Sequence, residues 1–192
     1  LSCARMPELQ PRLQKRHLSY YTPLLLLLVV CAYVYRSTLN GYFLADDFGY
    51  IHLYSRISLP RFRALFFNDW SQDIWGFNTG ELRPFVGFTY WLEYRLWGIH
   101  PFGYHLSNLG MYLLTVSGFY LLALETARTF LRDVFDNTAF YWVTALGGAL
   151  FLLHPAHVAA VAWVAGRTDM LGTNAYLWSF FCLVRLWQTD SR

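Results

Sequence analysis

Charge is scarce in this chain. Of its 192 residues 14% are Asp, Glu, Lys or Arg, against about 25% in an ordinary soluble domain, while 56% are hydrophobic and 20% aromatic. That balance excludes a water-soluble globular domain and points to a membrane protein. Lysine is nearly absent. Fourteen of the 15 basic residues are Arg, spread along the chain, so the net charge of +3 forms no patch for a nucleic acid. Cysteine is rare as well. Cys3, Cys31 and Cys182 lie far apart, the last two inside apolar runs, which excludes a disulfide frame or a cysteine metal site. A glycine loop of the kind that cradles a nucleotide's phosphates is also missing.

What is present is a series of apolar runs. Residues 1–17 form a polar tail with Arg5, Arg12, Lys15 and Arg16. Leu18–Tyr35 then supplies about 18 mostly apolar residues, roughly 27 Å as a helix and nearly enough to cross a bilayer core. A basic segment ahead of Leu24–Leu28 also fits a signal peptide. However, no small-residue cleavage site follows, and Tyr33, Tyr35 and Arg36 read as an interfacial belt. Asn40-Gly41 is the natural stop of this first membrane helix.

Residues 36–103 hold no span of full length. Phe85–Trp97, opened by Pro84 and closed by Gly98, is about 13 residues long, so it predicts a helix lying along the interface or re-entering. Three further spans follow, near residues 104–125, 139–154 and 168–187, with a short charged loop over Thr126–Thr138. Gly110, Ser107, Ser117, Gly118 and the Gly147-Gly148 pair predict close helix packing. The expected fold is therefore all-α and integral to a membrane, with about four transmembrane helices and a long first outer loop carrying interfacial helices. Basic residues in the short segments divide eight to one, which makes both tails cytoplasmic and puts residues 36–103 and His154–Asp169 on the opposite face. With Leu1 first, Met6 the earliest methionine and Arg192 the last residue, the chain reads as the N-terminal part of a larger polytopic protein.

Two polar constellations stand out on that face. Tyr42–Gly49 places Asp46 beside Asp47 just past the first span, where acidic residues are costly. Neighbouring carboxylates push their proton affinities apart, which suits one of them to act as a base; the plain alternative is a helix-ending turn with solvated acids. The second constellation is His154-Pro-Ala-His157 followed by Arg167 and Asp169. Two His three apart, with no Cys or Glu near, fall short of a zinc ligand set, whereas one Arg on an apolar face fits a phosphate. A kinked helix end with Arg167 paired to Asp169 is the structural alternative.

The run His-Pro-x-His-Val-x-Ala-Val-Ala-Trp-Val-x-Gly-Arg-x-Asp, from His154 to Asp169, resembles the transmembrane-and-tetratricopeptide-repeat-containing O-mannosyltransferases and their bacterial relatives in the glycosyltransferase C superfamily. Phe43-Leu-Ala-Asp-Asp47, Asn68-Asp-Trp…Trp75-Gly…Leu82-Arg-Pro84 and Pro101-Phe-Gly-Tyr-His105…Asn108 agree with the same family. The resemblance implies an enzyme that takes a sugar, such as mannose, from a polyprenyl-phosphate carrier on the non-cytoplasmic face and gives it to a protein or glycan hydroxyl. Residues 1–192 would be the N-terminal part of the membrane domain, with further spans and a repeat domain beyond. Carried over residue by residue, Asp46 is the candidate base with Asp47 as its neighbour. Arg83, His105, His154, His157, Arg167 and Asp169 are the candidates for substrate contacts. No metal ligands are assigned, although a divalent metal is left open as a cofactor.

One departure from the family pattern is clear. A Glu usually stands two residues after the second His, where this chain has Ala159. Its absence keeps a second reading open, that of a non-catalytic membrane scaffold or assembly protein. The aromatics Tyr42, Phe48, Trp70, Trp75 and Trp91 are read as interfacial anchors, or else as faces for a sugar ring or an isoprenoid chain. Arg-rich, Lys-poor usage leans to a bacterial inner membrane, with the endoplasmic reticulum membrane as the alternative.

Overall fold

A computed structural model of the chain describes residues 9–130 and 137–190. Its elements are α1 (Leu9–Tyr35), a 3-10 turn (Arg36–Asn40), α2 (Asp47–Arg56), α3 (Leu59–Ala64), α4 (Ser71–Trp75), α5 (Pro84–Trp97), α6 (Pro101–Phe130), α7 (Asn137–Leu152), α8 (His157–Ala162), a second 3-10 turn (Val164–Gly166) and α9 (Arg167–Asp190). The described residues include no strand, in keeping with the all-α expectation.

Among the described residues two segments, Tyr21–Asn40 and Pro101–Phe130, are long and apolar enough to cross a bilayer by length and composition, where four were anticipated. α7 is apolar but has 16 residues, about 24 Å of helix. α9 has the length, at 24 residues, but Arg167, Asp169, Asn174, Arg185 and Gln188 dilute its apolar run. The polar tail expected over residues 1–17 is helical from Leu9 onward, in a stretch of Leu, Gln, Arg and Lys that favours helix.

The described chain divides into two compact units. One takes α1 as far as Tyr33, α6 from Leu113, α7 to His154, and α9 from Asn174. Leu27, Cys31, Tyr120, Leu124 and Leu152 are buried in it. Close packing rests on two of the small residues singled out in the sequence. A Cβ on Gly148 would stand 2.9 Å from Leu27 Cδ1, and one on Gly118 would stand 3.3 Å from Leu177 Cβ. Gly110 and Gly147 meet nothing within 4 Å. Glu125, buried on α6, accepts hydrogen bonds from Arg128 and Arg185, each at 3.2 Å, and Arg128 also donates to the Tyr141 hydroxyl at 2.8 Å. This cluster carries α6 on to Phe130, through part of the loop anticipated at 126–138. Residues 131–136 of that loop lie outside the described residues.

The other unit is Val34–Tyr112 with Pro155–Thr173. What the sequence offered as one long outer segment is here a set of short helices around an aromatic core. Tyr50 stacks between Trp70 and Tyr90, with ring centroids at 5.0 and 4.4 Å, Tyr54 lies on Tyr90, and Phe62 lies on Trp91 at 4.7 Å. Each such ring buries about 150–250 Å², which gives short helices with few aliphatics a core of their own. Trp70 is therefore a core residue and Trp91 packs half-buried against the same core, while Tyr42 and Phe48 are exposed. α5 runs from Pro84 to Trp97 and stops at Gly98, whose φ of +58° suits glycine, as the sequence predicted.

Irregular backbone between α4 and α5 is held by Asp69. Its Oδ1 accepts the Ser71 N–H at 2.8 Å and the Ser71 hydroxyl, and its Oδ2 accepts the Gly80 N–H at 2.6 Å. Ser71, wholly buried, accepts the Thr79 N–H at 2.9 Å. The Ser71 hydroxyl bond, with these backbone donors behind it, draws the Asp69 carboxyl down to about 2. A folded-state value below that of the unfolded chain stabilises the fold above about pH 4, and the benefit fades as pH falls toward 2. Asp69→Asn is accordingly expected to lower the melting temperature at pH 7, with the gap to the parent closing between pH 4 and pH 2. A gap independent of pH in paired melting curves would contradict this role.

Candidate active site

Asp47 is completely buried at the first turn of α2. Its Oδ2 accepts the Leu44 N–H at 2.9 Å, closing its own turn, and its Oδ1 accepts the Ala165 N–H at 2.8 Å. One carboxylate thus ties residue 44 to residue 165. A second tie runs beside it, from Trp163 Nε1 to the Leu44 carbonyl at 3.2 Å. Asn108 holds the same turn from α6, its amide donating to the carbonyls of Trp163 at 2.9 Å and Val164 at 3.3 Å. Burial pushes the Asp47 carboxyl above its ordinary value, against the pull of the two N–H donors and of Arg167.

Asp46 has a different setting. It follows Ala45, whose φ of +46° is the one positive value at a non-glycine residue among the described residues. A left-handed Ala costs roughly 1–2 kcal/mol, a strain the Asp47 clamp holds in place. Asp46 is half-exposed, and its carboxylate makes no hydrogen bond or ion pair among the described residues. One turn further on, the phenol of Tyr50 is pushed up to about 12 by burial, while the positive charge of Arg83 pulls the other way and Asp46 and Glu81 add to the rise. Asp46, Tyr50, Arg83 and Glu81 are thereby one electrostatic neighbourhood. Arg83 pairs with Glu81 at 2.7 Å and stands 5.4 Å over the Trp70 ring.

Arg167 is wholly buried, away from any surface where a lipid phosphate would meet it. Its Nη1 is ion-paired with Glu93, its Nε donates to the Val164 carbonyl at 3.1 Å, and its guanidinium lies 4.3 Å from the Tyr90 ring centroid. The pairing is with Glu93, then, and not with Asp169, which is exposed in the first turn of α9 where an acid suits the helix end. Burial pushes the Glu93 carboxyl up, opposed by Arg167 and Ser107.

The histidines separate. His105 is buried against Gly41, where a Cβ would stand 2.7 Å from its Nε2. His157 begins α8 with its ring 5.8 Å from that of Tyr112. His154 is exposed beyond the end of α7 and belongs to the other unit. Sequence reasoning passed over Glu93, Tyr50 and the role of Asn108. Glu93 did leave a signal, as a lone carboxylate within an aromatic 14-residue helix. No group of three or more His, Cys, Asp or Glu side chains is placed to hold a metal ion among the described residues.

No family model and no solved structure matches the chain. Curated relatives do. It is 30% identical over 158 residues to a protein O-mannosyl-transferase of Caenorhabditis elegans, covering 78% of this chain and 21% of that protein. It is 30% identical over 161 residues to protein O-mannosyl-transferase Tmtc2 of Drosophila melanogaster (79% and 16%) and 30% identical over 155 residues to protein O-mannosyl-transferase TMTC1 of Homo sapiens (76% and 16%). The chain thus spans about a fifth or less of the length of these relatives. All three are animal proteins, which lends the expected bacterial inner membrane no support.

The buried Arg167–Glu93 pair makes a sharp forecast. Removing one partner strands a charge in the aromatic core, so Arg167→Met or Glu93→Gln is expected to cost about 3–5 kcal/mol. The double variant should recover part of that loss, because neither charge is then left alone. Denaturation of the four proteins decides it: strictly additive single losses would mean the two side chains do not depend on each other.

Proposed function

We propose that this chain, a homologue of the TMTC protein O-mannosyl-transferases over about 78% of its length, belongs to an enzyme that moves mannose from a polyprenyl-phosphate carrier to a protein or glycan hydroxyl. The reaction is placed on the non-cytoplasmic face of a membrane. The relatives' names supply the transfer of mannose and a protein acceptor; the lipid carrier and the face come from the resemblance and the distribution of Arg. With animal relatives, the endoplasmic reticulum membrane replaces the bacterial one in this reading. α7 and α9 accompany the two longer apolar segments as further spans.

One observation carries the mechanism: two adjacent carboxylates with different tasks. Asp47 has an N–H on each oxygen and no access to solvent, whereas the Asp46 carboxylate is half-exposed and uncommitted. Asp46 takes the proton from the acceptor hydroxyl as its oxygen bonds to the sugar's anomeric carbon. The bond from that carbon to the phosphate oxygen breaks, and the electron pair leaves on the phosphate. Such a leaving group needs no proton if cations spread its charge, and Arg83, about one-third exposed beside Tyr50, is the cation so placed. Asp47 and Arg167 act through others, holding the Leu44–Asp47 turn and its partner at Val164–Gly166. His105, His157 and Asp169 keep their candidate status as supports of the substrate site.

The scaffold reading rests on Ala159, which lies exposed on α8 and offers no carboxylate. Transfer assays on the full-length protein separate the two. Asp46→Asn is expected to lower turnover by about 10²–10⁴, the contribution of a general base, without a change in melting temperature. Asp47→Asn turns an amide N–H₂ toward a backbone N–H and should cost about 1–3 kcal/mol of stability. Unaltered turnover in Asp46→Asn would leave the scaffold reading standing.

A further inference from the structure

Arg83 already holds an anion. Its Nη2 lies 2.7 Å from Glu81 Oε2, with the two side chains 32% and 41% exposed. On its other side the guanidinium stands 5.4 Å over the buried Trp70 ring. That ring is stacked on Tyr50 at 5.0 Å, so the cation is presented from a rigid base. Glu81 has no such base. It stands in irregular backbone directly after Gly80, and its side chain is held by no ring and is the more exposed of the two.

Resting on the reading that Arg83 meets the donor's phosphate, we propose that Glu81 occupies the phosphate's place on Arg83 and must be displaced when the ligand binds. The carboxylate is an internal competitor that sets affinity. An exposed ion pair is worth little, so this contact can open, in contrast to the buried Arg167–Glu93 pair, which cannot do so without stranding a charge. Phosphate matches the guanidinium fork as well as carboxylate does, and the polyprenyl monophosphate left after transfer carries more charge than a carboxylate, so exchange favours the ligand. A carboxylate left beside the bound phosphate would repel it, which requires the exposed Glu81 side chain to rotate away from Arg83.

Binding of a polyprenyl monophosphate to the full-length protein in lipid nanodiscs tests this. Glu81→Gln keeps the shape and removes the competing charge. It is expected to bind about 2- to 5-fold tighter, the range an exposed pair supports, with a gain that shrinks as salt is raised. Glu81→Asp keeps a carboxylate and should bind no tighter than the parent, and Glu81→Gln should give no gain in an Arg83→Gln background. Melting temperatures near the parent's confirm that each variant is folded. Unchanged or weaker binding by folded Glu81→Gln, while Arg83→Gln loses binding, overturns the competitor role alone. Parent-like binding by Arg83→Gln overturns the phosphate reading of Arg83 and the competitor role with it.

Discussion

Two backbone N–H groups, from Leu44 and Ala165, converge on the single buried carboxylate of Asp47. Taking a carboxylate out of water costs several kcal/mol, and hydrogen bonds to a charged group return about 1.5–3 kcal/mol each. The net result is a carboxyl held above its ordinary value, a sign that burial outweighs the donors. Such a group persists where the fold needs the connection. Here it closes a turn containing a strained Ala45, and it ties that turn to the segment leading into α9. The position of Asp46 follows from that connection and from α2, whose Tyr50 N–H donates to the Asp46 carbonyl at 3.1 Å.

Beneath the clamp lies a column of rings ending on a cation. Arg167 lies against Tyr90, Tyr90 stacks on Tyr50, and Tyr50 stacks on Trp70, which carries Arg83 over its face. The two arginines share the column and differ in every other respect. Arg167 is sealed with Glu93 inside the unit, whereas Arg83 is about one-third exposed and paired with the exposed Glu81. Burial separates the two residues of the same type: one is closed off as a structural cation, and the other stands open to the role proposed for it.

Much of this was legible in the sequence. The Asp46-Asp47 pair, the Pro84 to Gly98 limits of α5 and the all-helical character follow from local chemistry that needs no third dimension. What escaped were long-range pairings. Arg167 finds Glu93, 74 residues away, where the nearest acid in sequence is Asp169. Trp70 and Trp91 looked like interfacial anchors because composition cannot distinguish a ring facing lipid from a ring facing another ring. Two of the four anticipated spans do not stand out by length and composition for a different reason: α7 is apolar but short, and α9 is long but polar. Residue 47 was paired with residue 46 as a catalytic neighbour, and only its partner at residue 165 shows it to be a clamp.

Chemical rescue is the most direct measure of that division of labour. In the full-length protein, Asp46→Ala would open a small cavity at a half-exposed position, and added formate can enter it and accept the acceptor's proton. The account predicts that formate restores a saturable part of turnover to Asp46→Ala and none to Asp47→Ala, whose defect is a lost connection. Rescue of Asp47→Ala, with none of Asp46→Ala, would contradict it.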